Sequence, residues 1–550
     1  MQEKSVVRAI ADNVAAHPEK TIFRFLDRGE TESCAYSYAA LDGMARRVAA
    51  GLLDRRLGDA AVLLVFEPGE EFVVALLGCL YAGVVAIPAP APRKGASLER
   101  LEGVAKNSGA AVMVCGEAIK AQIGAGDGTA LGAMSAITLG ELAAAPPLAA
   151  CPGLDRASDA PILVQYTSGS TLSPRGVVLD SACIAANVAF ACRGIGFGTD
   201  GEETFVNWMP HYHDMGLIGN LLLPLAMGHE SIHLSPIAFV QSPLRWLQAI
   251  SRYRGTASGG PPLAYDACVA RIADEEIDRL DLSSWRIGFC GAEPVFANTL
   301  DAFRSRFARA GLDPDAVFCV YGMAETAVYA GGSPPPPVER RTALPTENGK
   351  VAREPCFLDA ETRDSLHVVS AAGAVLPDGE EGEIWISHRS VASGYLGDAD
   401  ATAATFGHRL SPDDGRLYLR TGDLGTIRDD VLVVTGRIKD VLIRNGVNFA
   451  ASDIERIAAT GRTAIDPNSC AAFQSAEESA PIVLLLEKRR GLWDAGAEEG
   501  LIRDIRAGVM AGVGLALDDV AFVEPGFLPR TTSGKIQRRR ACALWQGAGR

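Results

Sequence analysis

Short apolar, β-branched runs recur along the chain at Ala61–Phe66, Ala111–Cys115, Trp285–Cys290 and Ala316–Val320. Each ends near Gly or a polar turn, and helical patterns lie between them. This alternation predicts an α/β fold built on a mostly parallel sheet. The stretch from Phe72 to Pro92 carries no charged residue and is about the length of a membrane span. Gly78, Gly83 and Pro88 interrupt it, so it is read as a buried helix followed by a buried strand.

The pattern changes twice downstream. Gly332–Gly382 holds a proline run, Pro334–Pro337, and many charges, which predicts an irregular or inserted region. From Gly382, Glu383–Ser387 and Val431–Val434 read as short strands, giving a β-rich subdomain at about 340–435. Past Gly436 the pattern restarts, with strand-like Ile482–Leu486, a helical stretch at Leu501–Val509 and a basic end. The expectation is a large N-terminal α/β domain, residues 1–435, and a small mobile C-terminal α/β domain, residues 436–550. No repeat of about 20–50 residues is visible.

Composition narrows the class. A chain of 550 residues exceeds one ordinary core, and 48% hydrophobic with 22% charged residues is the balance of a soluble globular protein. Against 52 Lys and Arg stand 67 Asp and Glu, a net charge of −15 that repels nucleic acid and anionic membranes. The 12 Cys are scattered singly without a C-x-x-C pair, as in a reduced cytoplasmic protein. Met1–Ser5 leads into no signal-peptide block, and no transmembrane segment is expected.

Candidate chemistry begins at Tyr166–Val177, where Thr167, Ser168, Gly169, Ser170 and Thr171 lie between two apolar runs. Backbone N–H and hydroxyl groups in such a loop can wrap phosphate oxygens. It lacks the Gly-Lys-Ser/Thr ending of a Walker A loop, and alone it reads equally well as a surface loop. The loop resembles the phosphate-binding signature of the adenylate-forming superfamily, which includes acyl-CoA synthetases, luciferases and peptide-synthetase adenylation domains. Four more signatures follow in order. Tyr321-Gly322-Met323-Ala324-Glu325-Thr326 resembles its Tyr-Gly-x-x-Glu motif, Arg420–Leu424 its Thr-Gly-Asp motif, and Gly436–Asp440 its hinge motif. Leu528–Ile536 resembles its C-terminal lysine motif. Within the superfamily, Trp208–Leu217, Tyr81–Pro88, Ser258–Pro261 and Gly291–Pro294 are similar to stretches of the fatty acyl-AMP ligases.

The resemblance implies ATP and Mg²⁺ as cofactors, a fatty or related carboxylic acid as substrate, and an acyl carrier protein thiol as acceptor. Bringing two anions together costs Coulomb energy that the site must offset. By resemblance, Thr167 to Thr171 hold the β- and γ-phosphates and Glu325 binds Mg²⁺. Asp423 takes both ribose hydroxyls, and Arg437 holds the ribose or phosphate side. Gly291, Ala292, Glu293 and Tyr321 line the adenine, with Gly322, Met323 and Ala324 as further nucleotide contacts. His213, Asp214, Met215 and Gly216 meet the acyl substrate, His213 beside the carboxylate; His211 fits a core histidine better. Lys535 is the cation at the reacting centre, and Lys439 marks the hinge. The neighbouring Arg530, Arg538, Arg539 and Arg540 read equally as a solvated tail or as a surface for an acidic carrier protein.

Three positions depart from the superfamily pattern: Leu172 in place of Gly, Arg175 in place of Lys, and Ser181 in place of His. A Cβ at 172 narrows the backbone choices of the loop, and Arg keeps the charge of Lys but not its shape. Fatty acyl-AMP ligases are looser at this loop. Two other readings stay open, an acyl-CoA ligase using free coenzyme A and a degenerate nucleotide- or carrier-binding protein.

Overall fold

The computed structural model describes residues 5–58, 60–92, 98–123, 129–167, 174–198, 203–337, 352–475, 480–489, 491–531 and 534–547. Among these, two seven-stranded sheets form the centre of the N-terminal body. One runs Val317–Cys319, Ile287–Cys290, Ala257–Gly260, Thr204–Asn207, Glu230–Leu234 and Thr21–Asp27, all parallel, with Thr31–Ser37 antiparallel at the edge. The other runs Gly394–Tyr395, Gly176–Asp180, Pro161–Tyr166, Val85–Pro90, Ala61–Phe66, Val112–Cys115 and Ser135–Thr138. Its last five strands are parallel. Strands buried on both faces need continuous apolar runs, which is why the sequence pattern exposed them.

The uncharged stretch resolves into a helix, Glu70–Ala82, and a strand, Val85–Pro90. Every helix residue from Phe72 to Ala82 is buried, while Glu70 and Glu71 sit in the first turn, favoured by the helix dipole. Among the described residues no helix is long and apolar enough to cross a membrane.

A third sheet is antiparallel, in the order Cys356–Phe357, Val431–Arg437, Leu419–Arg428, Gly382–Ile386, Leu366–Val369. Within Gly332–Gly382, expected to be irregular or inserted, Cys356–Phe357 and Leu366–Val369 are strands of this sheet, which corrects the irregular reading for those residues. The charges at 359–364 belong to a short helix, Ala360–Ser365, capped by Asp359, whose carboxylate accepts from Thr362 N at 2.7 Å. Residues 338–351 of that segment lie outside the described ones.

A separate apolar cluster, including Ile454, Leu484, Leu486, Ile505 and Val509, begins at Leu442. It packs helices Ala451–Ala459 and Glu498–Val513 against one face of a sheet, Ile465–Gln474, Ile482–Lys488 and Asp519–Val523. The last helix, Arg538–Gly547, covers the other face through Ala541 and Trp545. All twelve cysteines are free; ten are buried, and Cys34 and Cys542 are partly exposed. Burial raises the thiol pKa of Cys34 to about 11 and that of Cys79 to about 12.

Candidate active site

Three strands of the parallel sheets stop at one place. Thr167 follows Pro161–Tyr166, Gly291 follows Ile287–Cys290, and Tyr321 closely follows Val317–Cys319. Carboxyl ends of parallel strands are where α/β sheets open a crevice. Here the crevice is a cavity of about 760 Å³, lined by both the N-terminal body and the C-terminal unit.

Asp423 and Arg437 are register partners on neighbouring antiparallel strands, so both project to the same place. Arg437 Nε lies 2.6 Å from Asp423 Oδ1, and the Tyr321 hydroxyl donates to Asp423 Oδ2 at 2.9 Å. Asp423 is 5% exposed. The carboxylate raises the Arg437 pKa against the opposing effect of burial, while burial and the same carboxylate push the Tyr321 hydroxyl far up. The tyrosine is therefore a donor at any working pH. Gly422 turns the strand at φ +69°, and its N–H donates to Glu383 Oε1 at 3.1 Å.

Gly322 has no room for a side chain: a Cβ there would lie 1.8 Å from Val328 O. Glu325 follows on a short 3₁₀ turn, buried, with Oε1 accepting from the Tyr395 hydroxyl at 2.7 Å. Burial raises its pKa, partly opposed by that hydrogen bond. Met323 and Ala324 line the same wall.

His213 Nδ1 lies 2.7 Å from Asp214 Oδ1, and Met215 N donates to the same oxygen at 2.6 Å. Burial raises the Asp214 pKa, but His213 and these hydrogen bonds outweigh it and hold the carboxyl below its usual value. A Cβ on Gly216 would sit 2.2 Å from Pro210 O, so only glycine lets the turn close onto the following helix. His211 is buried, stacked on Phe72 with ring centroids 5.1 Å apart, and its Nε2 lies 3.1 Å from His233 Nδ1. Burial lowers its pKa to about 4, so it stays neutral.

Lys535 enters from the C-terminal unit. It sits in a tight turn, with Thr531 N donating to Lys535 O at 2.8 Å, and its Nζ donates to the Ala292 carbonyl. Ala292 presents that carbonyl from a left-handed conformation, φ +68°. Burial lowers the Lys535 pKa, Glu293 partly restores it, and Arg437 lowers it further. Lys439 lines the cavity on a 3₁₀ turn, Ile438–Asp440, between the two units; burial and Arg437 lower its pKa.

Thr167 N donates to Arg175 O at 3.0 Å, closing the base of the candidate phosphate loop. Ser168, Gly169, Ser170 and Thr171 lie outside the described residues. The structure thus brings together Thr167, Ala292, Glu293, Tyr321 to Glu325, His213 to Met215, Asp423, Arg437, Lys439 and Lys535 around one cavity, and leaves Gly291 and Gly216 off its lining.

Several lining residues escaped the sequence. Tyr395 reaches Glu325 from 70 positions away, and no local signal marks it. Arg100 lies on helix Glu99–Ser108. That helix ties to the strand end through Tyr166 OH donating to Asn107 at 2.7 Å, and Gly103 rests near Pro174. Arg100 shares the face of Gly103 and Asn107 and lines the cavity. Its Nε is shielded from solvent without a hydrogen-bond partner among the described residues, and burial lowers its pKa. An apolar arm of the cavity carries Ile195, Phe197, Leu223 and Val328. For Arg538 the solvated-tail reading fails: its guanidinium is paired with Glu455 at 2.7 Å through both arms and with Asp440 at 3.0 Å. Arg539 and Arg540 are exposed.

Residues 10–396 match the AMP-binding enzyme family, and the chain belongs to it. Residues 439–549 match the AMP domain of Disco-interacting protein 2-like proteins. Within the family the chain groups with the fatty acyl-AMP ligases. It is 33% identical to the medium-chain-fatty-acid–[acyl-carrier-protein] ligase JamA of Moorena producens, over 95% of this chain and 91% of that protein. It is 32% identical to the long-chain-fatty-acid–AMP ligase FadD23 of Mycobacterium tuberculosis, over 99% and 97%. A solved structure from work on the fatty acyl-adenylate ligases of E. coli and L. pneumophila superposes with a TM-score of 0.82 at 29% identity, covering 100% of this chain and 99% of that one.

Proposed function

We propose that this enzyme joins a fatty acid to ATP, releasing pyrophosphate and holding the acyl-adenylate, and then passes the acyl group to the phosphopantetheine thiol of an acyl carrier protein. The observation that carries the reading is the meeting of two units at one cavity. Asp423, gripped by Tyr321 and Arg437, faces a cleft into which the other unit extends the Lys535 ammonium. A relative that ligates fatty acids to acyl carrier protein supports the choice of acceptor.

In this reading a carboxylate oxygen attacks the α-phosphorus, the bond to the bridging oxygen breaks, and pyrophosphate departs. Asp423 accepts from the ribose hydroxyls, which suits a two-oxygen acceptor. Tyr321 and Gly291 to Glu293 line the base, with Gly322 to Ala324 beside them. Lys535 neutralises charge between carboxylate and α-phosphate as it builds up. His213, oriented by Asp214, meets the acid's carboxylate, with Met215 and Gly216 shaping the entry to the apolar arm for the acyl chain. Thr167 opens the loop that receives the terminal phosphates, and Arg100 supplies a cation on the same wall.

Glu325 fits Mg²⁺, a hard cation taken by one or two carboxylates together with substrate phosphates. When bound, the ion supplies charge cover for the triphosphate. Lys439 is the hinge of this reading, supported by the short turn Ile438–Asp440 between the two units, where a few dihedral changes can reorient the smaller one. In the second step the thiol attacks the acyl carbonyl and AMP leaves.

The test is ATP–pyrophosphate exchange over carboxylic acids of graded length, followed by transfer to coenzyme A and to a phosphopantetheinylated carrier protein in parallel. Exchange with fatty acids and acyl transfer to the carrier alone is the expected result. Acyl-CoA release at a comparable rate would replace the acceptor, and absence of exchange across the panel would overturn the adenylation itself.

A further inference from the structure

Helix Ala451–Ala459 touches both the N-terminal body and the segment just beyond Lys535. Its first two turns carry Ser452, Asp453, Glu455 and Arg456: the first two meet Arg353, and the last two reach Arg538 and the Asn298–Thr299 helix start. Arg353, in the N-terminal body, pairs with Asp453 and also donates to Ser452 Oγ at 3.0 Å and Thr435 O at 3.0 Å. Arg456 crosses the other way, donating to Asn298 Oδ1 at 2.8 Å and Thr299 Oγ1 at 2.9 Å and pairing with Asp266 at 3.3 Å. Both guanidinium groups also meet one ring: Phe296, with Arg353 4.2 Å and Arg456 5.2 Å from its centroid. The ring is fixed from below, because Phe296 and Arg353 are backbone bridge partners, with Ala297 N donating to Ala352 O and Glu354 N to Val295 O.

The same helix contacts the chain beyond the lysine. Glu455 takes both arms of Arg538, three residues beyond Lys535 at the start of the last helix, and its Oε1 also accepts from Ala472 N at 2.8 Å. A continuous path therefore runs from Phe296 through Arg456 and Glu455 to Arg538 and Lys535.

We propose that Arg353, Phe296 and Arg456 form an interdomain clamp whose role is to hold the small unit in the orientation that places Lys535 over Ala292. They are positioning residues for the adenylating step and stand outside the thiol-transfer step. Planar guanidinium groups suit this task, stacking on the ring while donating from their edges. The clamp rests on the reading of Lys535 as the adenylating cation, and the experiment separates the two ideas.

Arg456→Ala, Lys535→Ala and the double variant are compared in ATP–pyrophosphate exchange and, separately, in acyl transfer from supplied acyl-adenylate to the thiol acceptor. Arg456→Ala is expected to lower exchange about tenfold or more, with transfer not reduced, since freeing one orientation shifts population toward the others. In the Lys535→Ala background the same change is expected to cost nothing further, because the clamp acts only through that lysine. Equal loss in both backgrounds, or transfer falling in step with exchange, overturns the clamp. If Lys535→Ala alone leaves exchange intact, the reading of the lysine falls instead. Phe296→Leu and Arg456→Lys keep apolar volume and charge respectively, and each is expected to reproduce the selective loss in exchange; full exchange in both overturns the clamp even if Arg456→Ala folds poorly.

Discussion

Replacing Asp423 by Asn tests the nucleoside grip with little change of shape. The amide keeps one acceptor oxygen and exchanges the other for a donor that cannot accept from a hydroxyl. Asp423 already takes Tyr321 OH on Oδ2 and faces Arg437 at Oδ1, so the variant loses the negative charge that organises both neighbours. Hydrogen bonds to a charged group contribute about 1.5–3 kcal/mol, and 1.4 kcal/mol is a factor of ten, so kcat/KM for ATP should fall about 10- to 150-fold. The fold should survive, because the Arg437 side chain is 44% exposed and water takes over its solvation. The decisive assay repeats pyrophosphate exchange with 2′-deoxy-ATP. The native enzyme should prefer ATP by about the same factor, and Asp423→Asn should shrink that preference to within about threefold. A variant that keeps the native ratio of ATP to 2′-deoxy-ATP would refute the assignment of Asp423 to the ribose, whatever its overall activity.

Lys535→Ala should lower exchange about 10²–10³-fold, as for loss of one donor aimed at developing charge, while transfer from supplied acyl-adenylate continues. Burial lowers the Lys535 pKa and Glu293 only partly restores it, so the ammonium is lost as pH rises through a value below that of ordinary lysine. Exchange should therefore fall on the alkaline side of its profile, and Lys535→Arg, still charged there, should remove that limb. Arg100→Ala should raise the KM for ATP and for pyrophosphate about tenfold while leaving AMP affinity, measured by calorimetry, within twofold. Gly322→Ala should destabilise the fold by at least about 1–3 kcal/mol, seen as a lower thermal midpoint, because its Cβ would meet Val328 O at 1.8 Å.

What the sequence revealed was whatever depends on neighbours along the chain. The strand Ala61–Phe66 was legible as drawn, because a run buried on both faces must be apolar throughout. The strand ends at Tyr166, Cys290 and Cys319 were legible because glycines and hydroxyls cluster where strands end. Contacts set by three-dimensional closure were not. Tyr395 serves Glu325, and Arg456 reaches Asn298 across 158 positions; neither carries a pattern of its own. The acyl arm is hidden for the same reason, since Ile195, Phe197, Leu223 and Val328 look like any core residues until they share a wall. The basic end misled in one respect: charge density suggested solvent, yet Glu455 and Asp440 draw Arg538 inward. The charges at 359–364 misled likewise, since Asp359 caps a helix.

The burial of the cysteines has a consequence for an enzyme that makes a mixed anhydride. An acyl-adenylate acylates whatever thiolate it meets, and the catalyst is the nearest protein to it. Cys319 and Cys470 line the very cavity in which the anhydride would form. The Cys319 thiol is raised far above its usual range by its contact with Cys356 and by burial, and buried Cys290, beside it in the sheet, is raised likewise. Even partly exposed Cys34, at about 11, would be thiolate in only about one molecule in ten thousand at neutral pH. With Cys319, Cys290 and Cys34 held as thiols, the incoming thiol of the proposed transfer step would meet little competition from them, so the interior shields these side chains from the enzyme's own product.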